Sequence, residues 1–269
     1  MFTYHLPQSE VLKKHIDYFY ELSTRQNFPL RYTAFPTTGT CLSFFRNAII
    51  TIDGSDVVIS QSTKPQPAVI LLGRILAPVN IYFRGYVEEV SIVFNAAGIN
   101  HFFDKPYSVI APDLHNVIID KKWQDVSGEL FSRSGADRLF YLEKFLLSQL
   151  VADNKKYLAT ISDLFLNDEE IRVRTLAEKV YMSERNFLRY FKAGFGCSPS
   201  EFRKIIRFRK AVSTKEGRSL LNDICFQNSY YDPSHFRKDF RKLTFSSPSV
   251  FFKTISRIGP GNYPFKVHH

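Results

Sequence analysis

The chain has 269 residues, a formal net charge of +10, 44 % hydrophobic residues and 23 % charged residues, a globular composition that excludes wholesale disorder. Its longest uninterrupted apolar run, Ala68 to Leu72, is far too short for a membrane-spanning helix. Cys41, Cys197 and Cys225 are dispersed, which excludes a disulfide framework and a cysteine-based zinc knuckle. The start, Met1-Phe2-Thr3-Tyr4-His5, lacks a basic segment followed by an apolar core, so a reducing cytoplasm is the expected location.

Taken in chain order, residues 10–21 are predicted to be helical. From Cys41 to Asn95 the pattern changes to short β-rich runs: 42–45, 49–52, 57–59, 69–72, 79–84 and 90–94. Turn residues such as Asp53-Gly54-Ser55-Asp56 and Lys64-Pro65-Gln66-Pro67 separate them. Many short strands at this spacing predict a small barrel or sandwich. Within Asn80-Ile81-Tyr82-Phe83-Arg84, alternation sets Tyr82 and Arg84 on one face. Pointing inward, Arg84 would pair with an anionic small-molecule effector; pointing outward, it leaves Ile81 and Phe83 to fill the core. Helices are then predicted near Ala97 to Phe103, over Lys121 to Phe131 and over Ala136 to Leu150. In the last, Leu139, Leu142, Leu146 and Leu150 form one apolar stripe, which packs either on the barrel or on a twin copy in a homodimer.

Ala152-Asp153-Asn154-Lys155-Lys156 is a short polar linker, and the charge balance changes there. Residues 1–160 carry 16 Lys/Arg against 15 Asp/Glu, and residues 161–269 carry 20 against 11. This predicts two domains, 1–152 and 157–257, with a polyanion as partner of the second.

The second part repeats itself at an offset of 49 residues. Ser183 aligns with Asp232, Phe187 with Phe236, Phe191 with Phe240, Arg189 with Lys238, and Lys192 with Arg241. Ser198-Pro199-Ser200 aligns with Ser247-Pro248-Ser249, Phe202 with Phe251, and Tyr181 with Tyr230. Each copy reads as a short helix (175–180, then 220–227), a turn ending on an N-cap residue, and a second helix (184–193, then 233–243). Pro233 suits a first helical position. Ser198 and Glu201 have capping-box spacing and start a long basic helix that joins the copies.

Helix, tight turn and second helix make a helix-turn-helix, whose second helix buries one face and offers the other to a DNA major groove. Helical spacing puts Phe187, Tyr190 and Phe191 on one side, with Arg185, Arg189 and Lys192 opposite and Asn186 and Leu188 on the flanks. In the second copy Phe236, Asp239 and Phe240 share a side, with Ser234, Lys238 and Arg241 opposite, flanked by His235 and Arg237. Arg185, Arg189, Ser234, His235 and Lys238 are assigned to base edges, and Lys192, Arg237 and Arg241 to phosphates. Asn186 and Leu188 complete the DNA-binding set.

These residues resemble the AraC/XylS family of bacterial transcription regulators. Leu176-Ala177-Glu178-Lys179-Val180-Tyr181-Met182-Ser183 resembles that family's first helix-turn-helix, and Phe191 to Pro199 the exit from its recognition helix. Ser229-Tyr230-Tyr231-Asp232-Pro233-Ser234-His235-Phe236, with Phe240 and Ser247-Pro248, resembles its second-half signature. The likeness covers roughly residues 157–255. It implies two units on a rigid linking helix, entering successive major-groove segments on one face of double-stranded DNA. It further implies an N-terminal domain that senses a ligand, dimerises, or both. RNA polymerase is a candidate partner beside DNA. The expected fold is therefore α+β: a β-rich, cupin-like barrel with flanking helices, then an all-α domain with two helix-turn-helix motifs. Three features depart from the family pattern. Ser229 and Phe245 stand where glycines are usual, and Ala211-Val212 is followed by the polar Ser213 to Gly217. The second unit is expected to contribute less to specificity than the first.

Two rivals stand beside this reading: an enzyme using the barrel, and a sequence-nonspecific nucleic-acid binder. His5, His15, His101, His115 and His235 form no close pair in the barrel segment, and His268-His269 reads as a tag remnant or a disordered tail. There is no Gly-rich phosphate loop and no Gly-x-Ser-x-Gly. No catalytic residue, metal ligand or cofactor is predicted. A nonspecific binder would treat unrelated sequences alike, whereas a regulator favours its site by about 10³-fold or more.

Overall fold

The computed structural model describes residues 2–25, 30–151, 155–214, 230, 232–258 and 263–268. Predicted features at 152–154, the helix over 220–227, Ser229 and Cys225 lie outside the described residues.

The first half builds strands β1 (Phe2–His5), β2 (Ile16–Ser23), β3 (Leu30–Ala34), β4 (Thr40–Arg46), β5 (Ala48–Asp53) and β6 (Asp56–Gln61). They are followed by β7 (Pro67–Leu72), β8 (Val79–Arg84), β9 (Glu88–Phe94) and β10 (His115–Val117). One six-stranded sheet has the order β1-β2-β9-β4-β7-β10. The other begins with two strands from the end of the chain, β11 (Ser256–Ile258) and β12 (Tyr263–His268), and continues β3-β8-β6-β5. The inner faces of the two sheets meet in one apolar cluster, with Phe45 and Ile70 from the first against Val57, Ile59, Ile81 and Phe83 from the second.

Alternation explains why the first sheet is buried on both sides. Leu42 and Phe44 of β4 and Val69 and Leu71 of β7 turn outward. There they meet Trp123 and Leu130 of α2 (Lys121–Phe131) and Leu142 and Leu146 of α3 (Gly135–Gln149). The leucine stripe of α3 therefore packs on its own sheet: Leu142 and Leu146 are fully buried, with Leu139 and Leu150 at the edge of the same core.

The helix expected over 10–21 is absent. Only Leu12–Lys14 makes a helical turn, and β2 follows. The register of β2 against β9 shifts between Ile16 and Tyr18. That bulge sets Leu12, Ile16 and Phe19 into one core and so imitates helical spacing. The segment near Ala97 is likewise only a short turn, Gly98–His101, preceding the single-turn helix α1 (Tyr107–Ile110).

The C-terminal half is helical: α4 (Lys156–Asn167), α5 (Val173–Lys179), α6 (Glu184–Phe195), α7 (Pro199–Thr214), α8 (Pro233–Thr244) and α9 (Pro248–Thr254). Its repeat is visible in three dimensions. Phe191 packs on Phe187 and Phe202 with ring centroids 5.8 and 5.7 Å away, and Phe240 packs on Phe236 and Phe251 at 5.3 and 5.0 Å. Gly196 and Phe245, equivalent in the repeat, both adopt left-handed backbone, φ 71° and 53°. The chain then returns to the first domain, where β12 pairs with β3. His268 is thus a strand residue, its Nε2 2.7 Å from the Thr33 hydroxyl, which corrects the expectation of a disordered tail.

Candidate functional site

Each candidate recognition helix is fixed by its cap. The Ser183 hydroxyl accepts from the Asn186 N–H at 3.3 Å. The Asp232 carboxylate accepts from the Ser234 and His235 N–H groups at 2.7 and 2.8 Å, ahead of Pro233 in the first turn. Such caps satisfy donors that the helix itself leaves unpaired.

Behind α6, Phe187, Phe191 and Phe195 are fully buried; in front, Arg185, Asn186, Leu188, Arg189 and Lys192 are exposed. Behind α8 lie Phe236, Phe240 and Leu243, and Ser234, Arg237, Lys238 and Arg241 are exposed in front. Both helices therefore carry the predicted division into an aromatic inner and a cationic outer face. His235 is the exception. It is half-buried, its Nε2 lies 3.3 Å from the carboxylate of buried Asp239, and its ring packs edge-on against Tyr230. The tyrosines at equivalent repeat positions also diverge: Tyr181 is 90 % exposed at φ 57°, whereas Tyr230 is buried.

The basic linking helix faces its own protein. Ser198 and Glu201 make the predicted reciprocal cap, with Glu201 accepting from the Ser198 N–H at 2.8 Å and from its hydroxyl at 2.7 Å. These bonds hold the Glu201 carboxyl below its usual range. Arg203 donates to the carbonyls of Glu169 and Ile171, Arg207 pairs with Glu170, and Lys210 with Glu169. Arg209 lies over the ring of Tyr263 at 4.5 Å. Much of the positive charge in this segment is thus used internally.

The inner end of α6 is anchored to the N-terminal domain. Helix C-termini leave carbonyls unpaired and carry partial negative charge. Asn100 donates to the Gly194 carbonyl at 2.9 Å, and the buried Arg74 donates to the Phe195 carbonyl at 3.0 Å. Arg74 also donates to the carbonyls of Thr38, Gly39 and Ala96. Lys155 donates to the carbonyls of Asn100 and Phe103, both at 2.6 Å. Gly196 sits so close to Tyr107 that a Cβ there would meet the ring at 2.2 Å.

A cavity of about 480 Å3 opens between the two sheets of the first domain. Ile81 and Phe83 line it; Tyr82 and Arg84 do not. The Tyr82 hydroxyl is 3.3 Å from Asp56, and Arg84 is exposed. The inward placement of Arg84 is thereby corrected: alternation turns the apolar pair in. The walls are mostly aliphatic and aromatic, with Tyr20, Cys41, Ser43 and Glu89 on one side and β12 residues Phe265 and Val267 on another. Burial pushes the Cys41 thiol up to about 11 and raises the Glu89 carboxyl. Sequence reasoning missed Glu89, although its position opposite Phe45 in adjacent strands marks it as inward-facing once the register is known.

Residues 176–254 match a family model described as a helix-turn-helix domain. The chain is 30 % identical over 105 residues to an uncharacterized HTH-type transcriptional regulator of Haemophilus influenzae; the match covers 39 % of this chain and 35 % of the relative. The chain thus spans about a third of that relative's length. Among solved structures it is similar to ToxT from Vibrio cholerae (11 % identity, TM-score 0.46, covering 94 % of this chain and 98 % of that one). It is also similar to unsaturated fatty acid bound ToxT (12 %, 0.44, 86 % and 92 %) and to the transcriptional regulator CdpR from Pseudomonas aeruginosa (16 %, 0.32, 65 % and 48 %).

Proposed function

We propose that this chain, whose residues 176–254 match a helix-turn-helix domain, is a sequence-specific transcription regulator of the AraC type that reads duplex DNA with α6 and α8. The observation that carries this reading is the doubled face: two capped helices, each buried by paired phenylalanines and each exposing Arg or Lys at matching positions. Arg185, Arg189, Ser234 and Lys238 meet base edges, and Lys192, Arg237 and Arg241 meet phosphates, with Asn186 and Leu188 alongside. His235 contributes its exposed edge while Asp239 holds the ring. Partners are double-stranded DNA, RNA polymerase and a second copy of the chain in a cytoplasmic homodimer. The barrel cavity takes a small-molecule effector, and no catalytic step is involved.

Selection from a random duplex library followed by binding at several salt concentrations tests the proposal. One enriched motif, bound about 10³-fold more tightly than unrelated DNA, with affinity falling steeply with salt, supports it. Equal affinity for all sequences favours the nonspecific binder.

A further inference from the structure

The cavity between the sheets carries one feature that its apolar walls do not require. Glu89 is 3 % exposed and lines the cavity. Its Oε1 accepts from the hydroxyls of Tyr20 and Ser91, both at 2.6 Å, while its Oε2 has no partner among the described residues. A buried carboxylate oxygen without a partner is costly, and the cost is removed when a donor reaches it. Two more residues of the lining carry a buried polar atom that has no hydrogen-bond partner among the described residues, Thr40 at Oγ1 and His115 at Nδ1. The Nε2 of His115 lies 2.9 Å from the Ser55 carbonyl. A carbonyl can only accept, so Nε2 carries a proton, and Nδ1 is the ring nitrogen left for another group. Tyr18, Tyr20 and Tyr32 line the same cavity, and aromatic rings are attractive to a cation. Arg25, the arginine on the lining, is exposed.

We propose that this cavity binds an organic cation, a primary amine on an apolar body, with the ammonium seated on Glu89 Oε2 and the body among the aliphatic side chains of the facing sheets. The proposal rests on the effector reading above and specifies its ligand. The available volume lies within the range of small-molecule sites, roughly 300–1,000 Å3. The ligand also touches Phe265 and Val267 of β12, the strand that follows the second helix-turn-helix unit, which places it against the segment that connects cavity and DNA-binding domain.

Calorimetric titration of the full chain with three matched probes tests this: 4-phenylbutylamine, 4-phenylbutan-1-ol and 5-phenylpentanoate. The amine is expected to bind at least tenfold more tightly than the alcohol and a hundredfold more tightly than the acid. Glu89→Gln, which keeps the shape of the side chain, should weaken the amine at least tenfold and leave the alcohol within threefold. An alcohol or acid that binds as well as the amine overturns the assignment, as does an amine indifferent to Glu89→Gln. Operator affinity measured with each probe separates the two readings. A Glu89-dependent amine that leaves DNA binding unchanged keeps the site and removes the effector role. An acid or alcohol that shifts DNA binding keeps the effector role and removes the amine. Binding by none of the three overturns both.

Discussion

At the scale of single residues, the first recognition helix stakes most on Arg189, which stands opposite the buried phenylalanines and is exposed. Arg189→Ala is expected to weaken operator binding by about 1–3 kcal/mol and to relax preference at one base pair, measured by competition with single-base operator variants. Lys192→Ala should instead weaken all sequences alike and reduce the salt slope by about one. Phe245 shows a different residue-scale effect. It holds left-handed backbone where the equivalent Gly196 does so without a side chain. That conformation costs a side-chain-bearing residue about 1–2 kcal/mol, and glycine's greater freedom when unfolded returns about 0.5–1 kcal/mol of it. Phe245→Gly should therefore raise stability by about 0.5–1 kcal/mol in urea unfolding. Glu201 gives a pH signature. Its folded carboxyl is held below the ordinary value by Ser198, so its contribution is present above the unfolded value and is lost as pH falls through the folded one. The stability gap between the native chain and Glu201→Gln should be open at neutral pH and close on acidification.

At the scale of elements, the junction between α6 and the first domain is a tight constraint. Gly196 combines φ 71° with a Tyr107 ring only 2.2 Å from where a Cβ would stand. Gly196→Ala should cost about 2–4 kcal/mol, read as a lowered denaturation midpoint. Sequence pattern was sufficient for elements that obey one period throughout. The runs at 42–45, 57–59 and 79–84 fall inside β4, β6 and β8, and α2 has the predicted bounds. The recognition helices extend only slightly past theirs, to Phe195 and Thr244. The pattern misled where a bulge broke the period, because Leu12, Ile16 and Phe19 share a core across a shift in register. It was silent where partners come from far along the chain. Nothing local in Arg74 announces that it will meet carbonyls of Thr38, Ala96 and Phe195, and nothing local in Glu89 announces a cavity.

At the scale of the whole molecule, the chain closes on itself. After the second unit, β12 enters the sheet of the first domain beside β3. There the Tyr263 hydroxyl donates to Asp17 while its ring lies under Arg209 of the linking helix. Tyr263→Phe keeps the ring and leaves the half-buried Asp17 carboxylate without that donor, so it should cost about 1–3 kcal/mol in thermal or urea unfolding. Barrel, linking helix and returning strand are thereby joined at one point, which gives an occupied cavity a physical route toward the two proposed recognition helices. The central claim is that both of those helices read one duplex. Base-interference footprinting on a selected operator tests it most directly. The account predicts two contacted major-groove segments on one face, about 10 base pairs apart, the first lost selectively in Arg189→Ala and the second in Lys238→Ala. A single contacted segment, or a footprint indifferent to both substitutions, would contradict it.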